Sequence, residues 1–227
     1  MSLHRSAYSM ALHDWRALCP ALRVVRVRNK TVIYSQGERC STSYIIARGH
    51  IKLSRISAQG DEHTIAMLPA DEVCGASLAG DDTGPVADTA TAKGPAELYC
   101  IPRAQFVHAV SREPRAAAFV IERLARREAF LASRIEQLLN GDVRSRVAAV
   151  LSALIGAYGG RCAHGHEVDI RLTQQELAEM TGASRPTVST ILNRMRDQGI
   201  VSYTRAYICV ENRRALEQLS VADDDAR

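Results

Sequence analysis

The chain has 227 residues, of which 46% are hydrophobic and 24% charged, a composition that excludes a disordered or collagen-like chain. Lysine and arginine total 29 against 25 acidic residues, an excess that permits a nucleic-acid partner without indicating one. This length predicts one or two domains. The first twenty residues have no secretion-signal core, and the most apolar stretch, 147–157, is too short to cross a membrane. Six cysteines lie far apart without paired spacing, so we expect a cytoplasmic protein that has neither disulfides nor a membrane partner.

Short strand-like segments occupy the region from residue 24 to residue 101. Glycine-containing turns such as Gln36-Gly37-Glu38 and Gln59-Gly60-Asp61 separate them. The segments are residues 24–27, 31–34, 44–47, 50–53 and 64–67. Evenly spaced short strands are typical of a jelly roll or β-roll, and we predict such a domain over residues 1–110.

A long helix is predicted next, because no proline or glycine follows Pro114 until Gly141. A helix over residues 114–140 would be about 40 Å long. Residues spaced alternately by four and three positions form a heptad seam along it. The seam consists of Ala117, Ile121, Leu124, Glu128, Leu131, Ile135 and Leu138. Such a helix packs either on its own domain or on a second copy of itself. The length and narrow seam favour the second copy, so we predict a dimerisation helix within residues 111–140.

A helix-turn-helix motif is predicted between residues 172 and 199. Thr173 and Glu176 have the spacing of a capping box at the start of the first helix. Gly182 can take the left-handed conformation that ends this helix. Ser184 can cap the second helix, and Pro186 is acceptable in its first turn.

Two predicted strands, 200–203 and 207–210, follow the motif and would make it a winged helix-turn-helix domain over residues 141–227. Nine residues of the motif are candidates for DNA contact. They are Thr173, Gln174, Ser184, Arg185, Pro186, Thr187, Ser189, Thr190 and Arg194. An arginine such as Arg185 can bond O6 and N7 of guanine, and a threonine methyl can touch thymine. The N-terminus of the first helix, with Thr173 and Gln174, can hold a phosphate. The alternative is a protein-binding winged helix.

Over residues 20–215 the sequence resembles the Crp/Fnr superfamily of bacterial transcription regulators. The resemblance lies in the glycine-punctuated segments 34–38 and 43–53, in the long helix, and in residues 183–199. Segments 59–62 and 68–71 are closer to the Fnr branch. The resemblance implies an α+β fold with an N-terminal β-roll sensor domain, a dimerisation helix and a winged helix-turn-helix. It implies a homodimer without enzymatic activity that binds a palindromic double-stranded operator with half-sites about 10 base pairs apart. It leaves RNA polymerase open as a protein partner.

The predicted effector pocket departs from that of cyclic-nucleotide binders. The family's Gly-Glu-Leu string is Gly75-Ala76-Ser77 here, and its phosphate-binding arginine is absent from Pro85-Val86-Ala87. Each missing charge-assisted hydrogen bond to phosphate is worth about 1.5–3 kcal/mol. We therefore expect allosteric control by an unknown effector other than cyclic AMP. The candidate pocket residues are Gly75, Ala76, Ser77, Leu78, Val86 and Ala87.

The alternative is a haem-based or thiol-based sensor of redox state or gas that uses Cys74 or Cys100. The cofactor remains unknown and the sequence requires none. One N-terminal cysteine, Cys19, is too few for the family's four-thiolate iron–sulfur cluster, and a haem site would lack the neighbouring histidine. A Cys/His cluster at residues 161–166 is more consistent with a hairpin loop than with a metal site. A jelly-roll metal enzyme is the remote alternative, and we assign no metal ligand.

Overall fold

A computed structural model of the protein describes residues 9–76, 84–162, 165–168, 172–204 and 208–220, with the backbone alone at 140, 157–162 and 165–168. The chain forms two compact units, and the main division falls between Glu128 and Ala129. None of the described helices is long and apolar enough to cross a membrane.

The first unit contains a β-roll of two four-stranded sheets, with strand orders β1-β8-β3-β6 and β2-β7-β4-β5. The strands are β1 (Arg23–Val27), β2 (Val32–Tyr34), β3 (Thr42–Arg48), β4 (Ile51–Ile56), β5 (Glu62–Leu68), β6 (Val73–Gly75), β7 (Thr89–Ala92) and β8 (Ala96–Pro102). Side chains such as Ile46, Ile51 and Leu98 fill the space inside the roll. The predicted β-roll is confirmed, and the five strand-like segments correspond to β1–β5. Strands β6–β8 were not among the predicted segments.

Two helices pack on the roll through an aromatic cluster. They are α1 (Leu12–Leu18) and α2 (Arg103–Arg112). Trp15 of α1 is completely buried. Its ring centre lies 5.6 Å from that of Phe106 in α2 and 5.3 Å from that of Phe119. Aromatic pairs at these distances stabilise a core beyond the area that they bury.

The long helix α3 (Pro114–Asn140) confirms the predicted helix. One face of this helix is buried in the first unit and includes Ala116, Phe119 and Val120. A different face carries the predicted seam, of which Ala117 and Leu131 are partly buried while the other members are exposed. Among these, 65% of Ile121 and 58% of Ile135 are exposed. A row of large exposed apolar residues on one helix is typical of a surface that a partner covers.

The second unit is a winged helix-turn-helix, as predicted. Its helices are α4 (Val143–Tyr158), α5 (Gln174–Thr181), α6 (Arg185–Asp197) and α7 (Arg213–Ser220), and its strands are β9 (Gly159–Cys162), β10 (Gly165–Val168), β11 (Val201–Tyr203) and β12 (Ile208–Val210). The sheet order is β11-β12-β10-β9. The Gly-rich segment after α4 forms the antiparallel pair β9 and β10, and β10 also pairs with β12.

Candidate nucleic-acid interface

The first helix of the motif, α5, begins with the predicted capping box. The hydroxyl oxygen of Thr173 accepts a hydrogen bond from the Glu176 backbone N–H at 3.1 Å, and the Glu176 carboxylate accepts one from the Thr173 N–H at 2.9 Å. These bonds satisfy two donors that a helix start otherwise leaves unpaired. Because the reciprocal bonds fix where α5 begins, they also fix the position of Gln174, the first residue of the helix.

The turn between α5 and α6 has the geometry that its sequence predicts. Gly182 adopts φ 62° and ψ 35°, a left-handed conformation that favours glycine. The Ala183 N–H donates to the Ala178 carbonyl at 3.0 Å. Ser184 caps α6, since its hydroxyl oxygen accepts from the Thr187 N–H at 3.2 Å. These observations confirm both predicted caps and the predicted helix end.

Two arginines from outside the motif bind the carbonyl groups at the end of α5. Arg134 of α3 donates to the Met180 carbonyl at 2.6 Å, and Arg146 of α4 donates to the Thr181 carbonyl at 2.8 Å. Burial lowers the pKa of Arg134 below its usual range. Cations are favourable at this negative end of a helix. The two arginines therefore help to hold the turn that orients α6, a role that the sequence analysis did not predict.

One face of α6 anchors the helix in the second unit. Val188, Leu192 and Met195 are completely buried, as is Leu177 of α5. These residues fall at helical spacing, so the opposite face of α6 must point away from the core. That opposite face carries the predicted DNA contacts that belong to α6.

The outer face of α6 exposes two kinds of group. Arg185 and Arg194 are exposed, and neither guanidinium has a partner among the described residues. The hydroxyls of Ser184 and Thr187 lie 2.7 Å apart in a mutual hydrogen bond, and that of Thr190 donates to the Pro186 carbonyl at 3.1 Å. Arg185 and Arg194 are therefore exposed charged donors of this face, whereas Ser189 is only partly exposed.

A groove of about 780 Å³ lies between the start of α4 and the outer face of α6. Its lining residues are Asp142, Val143, Arg144, Pro186, Thr187, Thr190, Ile191, Arg194 and Gln198. The groove thus brings four of the predicted contacts together with a part of α4 that the sequence analysis left out; they are Pro186, Thr187, Thr190 and Arg194.

Arg144 is the functional candidate that the sequence analysis missed. Its guanidinium is exposed and donates to the Gln198 side-chain oxygen at 3.1 Å. Asp142 precedes it and accepts a hydrogen bond from the Ser145 N–H at 2.7 Å, and this bond lowers the pKa of Asp142. Aspartate is a preferred residue at the start of a helix, so Asp142 could have indicated from the sequence that a helix begins here with Arg144 in its first turn.

The described part of the candidate effector pocket is largely apolar. Ala76 and Val86 are buried in the core of the roll, while Gly75 is partly buried and Ala87 is exposed. Ser77 and Leu78 lie outside the described residues. The hydroxyl of Tyr34 donates to Asp88 at 2.9 Å and accepts from the Gly75 N–H at 3.2 Å.

Helix α3 contacts the segment that leads into this pocket. The Arg127 guanidinium donates to the Glu72 carboxylate and to the Val73 carbonyl, each at 2.6 Å. Arg123, which is buried, donates to the Asp71 carbonyl at 2.8 Å. Asp71 has a φ of 68°, which is uncommon for a residue other than glycine. The two arginines therefore connect α3 to the backbone just before the candidate effector pocket.

The two cysteines of the alternative hypothesis lie in the β-roll as free thiols. Burial raises the pKa of Cys74 to about 12, although the nearby Arg127 acts in the opposite direction. Burial also raises the pKa of Cys100. Since the thiolate is the reactive form, neither environment activates a thiol. The Cys/His cluster at 161–166 is described at most by its backbone, so its side chains lie outside the described structure.

We expect Cys74 to resist alkylation by iodoacetamide at pH 8, because its thiol is protonated well above that pH. The folded protein and the protein in denaturant should be labelled in parallel, and the modified peptides identified by mass spectrometry. Cys74→Ser is the control for peptide assignment. Labelling of Cys74 in the folded protein at the rate seen in denaturant would contradict the partly buried, protonated thiol.

Comparisons with known proteins agree with the geometry of both units. Residues 24–113 match the model of the cyclic nucleotide-binding domain, and residues 145–219 match that of the Crp-like helix-turn-helix domain. Together they define a DNA-binding transcription regulator with a β-roll domain. The chain belongs to the Crp/Fnr family.

Relatives and solved structures cover most of the chain. The chain is 32% identical to the global nitrogen regulator of Synechocystis sp. over 195 residues, which cover 84% of this chain and 85% of the relative. It is 29% identical to the cyclic AMP receptor protein of Thermus thermophilus over 188 residues, 83% of each chain. The structure of FixK2 from Bradyrhizobium japonicum is similar with a TM-score of 0.74 at 18% identity, covering 89% of this chain and 98% of the other.

Proposed function

We propose that the protein acts as a homodimer that binds a palindromic DNA operator through α6 and responds to an effector other than cyclic AMP. The observation that carries this proposal is the outer face of α6, where Arg185 and Arg194 are exposed and have no partner among the described residues. Arginine is the side chain best suited to bidentate recognition of guanine and to phosphate contact.

The DNA contacts that we propose extend from α6 to two helix starts. Arg185 and Ser189 would reach base edges in the major groove, while Thr173 and Gln174 would contact phosphate at the start of α5. Arg144, at the start of α4, adds a further phosphate contact because it lines the same groove as Arg194. Phosphate contacts of this kind position the recognition helix, and the base contacts provide sequence specificity.

The homodimer is supported by the exposed apolar seam on α3. Ile121, Leu124, Ile135 and Leu138 are between 45% and 65% exposed. In a second copy the same surface would cover them, which is the arrangement of a two-fold symmetric dimer. Two copies would then present two α6 helices to the two halves of a palindrome.

An effector different from cyclic AMP is supported by the side chains in the pocket. Ala76 and Val86 occupy the positions where the family resemblance places the ribose-binding glutamate and the phosphate-binding arginine, and both are buried and apolar. Arg123 and Arg127 provide a physical connection from this segment to the dimerisation helix. Binding at the pocket would therefore bias α3 through these hydrogen bonds.

The proposal is tested by selecting bound duplexes from a random DNA pool with the full-length protein, and by titrating the protein with cyclic AMP in a calorimeter. We expect the selected duplexes to share a palindrome with half-sites about 10 base pairs apart and the cyclic AMP titration to give no tight binding. Selection without any enriched sequence would contradict operator binding. Tight, saturable cyclic AMP binding would contradict the proposed effector class.

A further inference from the structure

We infer that Thr190 and Pro186 form an apolar contact that recognises the C5-methyl group of thymine in each operator half-site. This inference rests on the proposed operator binding and specifies one base that the operator must contain. It rests on the hydrogen bonds that side chains of α6 form within their own helix.

The hydroxyl group of Thr190 is turned back along its own helix. It donates its proton to the carbonyl oxygen of Pro186 at 3.1 Å. The remaining substituent on the same carbon is the methyl group, and the residue is exposed. The surface that Thr190 offers to a ligand is therefore mainly apolar.

Pro186 extends this apolar surface. It lies in the first turn of α6 and is exposed, and its ring has no N–H that could donate to a base. Thr190 is four residues further along, so the two side chains lie on the same face of the helix. Both line the groove that also contains Val143 and Ile191.

The neighbouring polar groups do not compete for the same base. The Ser184 and Thr187 hydroxyls are paired with each other at 2.7 Å, and Arg185 projects from the adjacent position. In the major groove, the C5-methyl group of thymine is the apolar feature that distinguishes a base pair containing thymine. An apolar pair beside a guanine-binding arginine therefore selects a thymine near the guanine.

The thymine contact is tested on the operator obtained by selection, by replacing thymine with uracil at one position at a time. Uracil lacks the methyl group but keeps the hydrogen-bonding edge. We expect one position in each half-site to lose affinity about fourfold, the effect of one buried methyl group, and about 16-fold when both half-sites are replaced. Binding is measured by gel-shift titration at a fixed salt concentration.

Two variants separate the methyl group from the hydroxyl. Thr190→Ser removes the methyl and keeps the hydroxyl, so it should lose most of the discrimination between thymine and uracil operators, with only the Pro186 contact left. Thr190→Val keeps a methyl and removes the hydroxyl, so it should remain sensitive to uracil. Melting temperatures are measured to check that both variants are folded. A contact through the Thr190 oxygen to a base amino group would instead leave every variant insensitive to uracil, with affinity kept in Thr190→Ser and lost in Thr190→Val.

The outcomes distinguish this inference from the proposed function. Failure of the wild-type protein to bind any selected duplex overturns both. Sequence-specific binding with equal affinity for every thymine and uracil operator overturns the inference and leaves operator binding in place. Uracil sensitivity that is undiminished in Thr190→Ser shows that the Thr190 methyl does not contact thymine and also overturns the inference.

Discussion

Arg185→Ala is expected to weaken specific operator binding by about 1–3 kcal/mol and to relax selectivity at one guanine of each half-site. The guanidinium is exposed at the first position of α6 and has no partner among the described residues. Its removal therefore breaks no described intramolecular contact, and the free energy of unfolding should hardly change. The measurement is a gel-shift titration of the selected operator and of an unrelated duplex at one salt concentration.

Arg213→Ala is the matched control for Arg185→Ala, because Arg213 is an exposed arginine that pairs with Glu217 on α7 at 2.7 Å. It removes the same charge from a position outside the predicted contacts. Equal loss of affinity in both variants would indicate a general charge effect. Unchanged specific affinity in Arg185→Ala would contradict the role of this residue in base recognition.

Leu124→Glu is expected to dissociate the dimer. Full burial of a leucine contributes about 1.5–3 kcal/mol, and Leu124 is 45% exposed in one chain. A symmetric interface contains the side chain twice, so dimer formation should lose about 1.5–3 kcal/mol. Two facing carboxylates add repulsion. Sedimentation equilibrium measures the dissociation constant, and operator affinity should fall with it because one chain engages only one half-site.

Ser133→Glu provides the matched control for the dimer, because Ser133 is exposed on α3 and is not a member of the seam. It adds the same charge to the same helix and should leave the dimer intact. If Leu124→Glu sediments with the mass of the wild-type dimer at every concentration, the seam is not the dimer interface.

The local features of the motif were predictable from sequence because they depend on neighbours along the chain. The Thr173–Glu176 capping box, the Gly182 helix end and the Ser184 cap each involve residues within four positions. Such signals follow from the hydrogen bonds that a helix end lacks. The period of the apolar residues likewise predicted α3.

The parts that were not predicted depend on contacts between distant residues. Strand β8 pairs with both β1 and β3, and the paired residues lie 49 to 77 positions apart in the chain. Arg134 and Arg127 are ordinary charged residues in the sequence, and their roles arise from carbonyl oxygens that lie 46 and 54 positions away. The groove that contains Arg144 forms only when α4 packs beside α6. No local pattern specifies such pairings.

The stoichiometry and spacing of the operator complex test the central claim most directly. We expect native mass spectrometry to find two chains on one selected duplex. Inserting five base pairs between the half-sites, about half a helical turn, should greatly weaken binding in a gel-shift titration because it places the half-sites on opposite sides of the DNA. One chain per duplex, with an affinity that the insertion does not change, would contradict a homodimer that reads a palindrome.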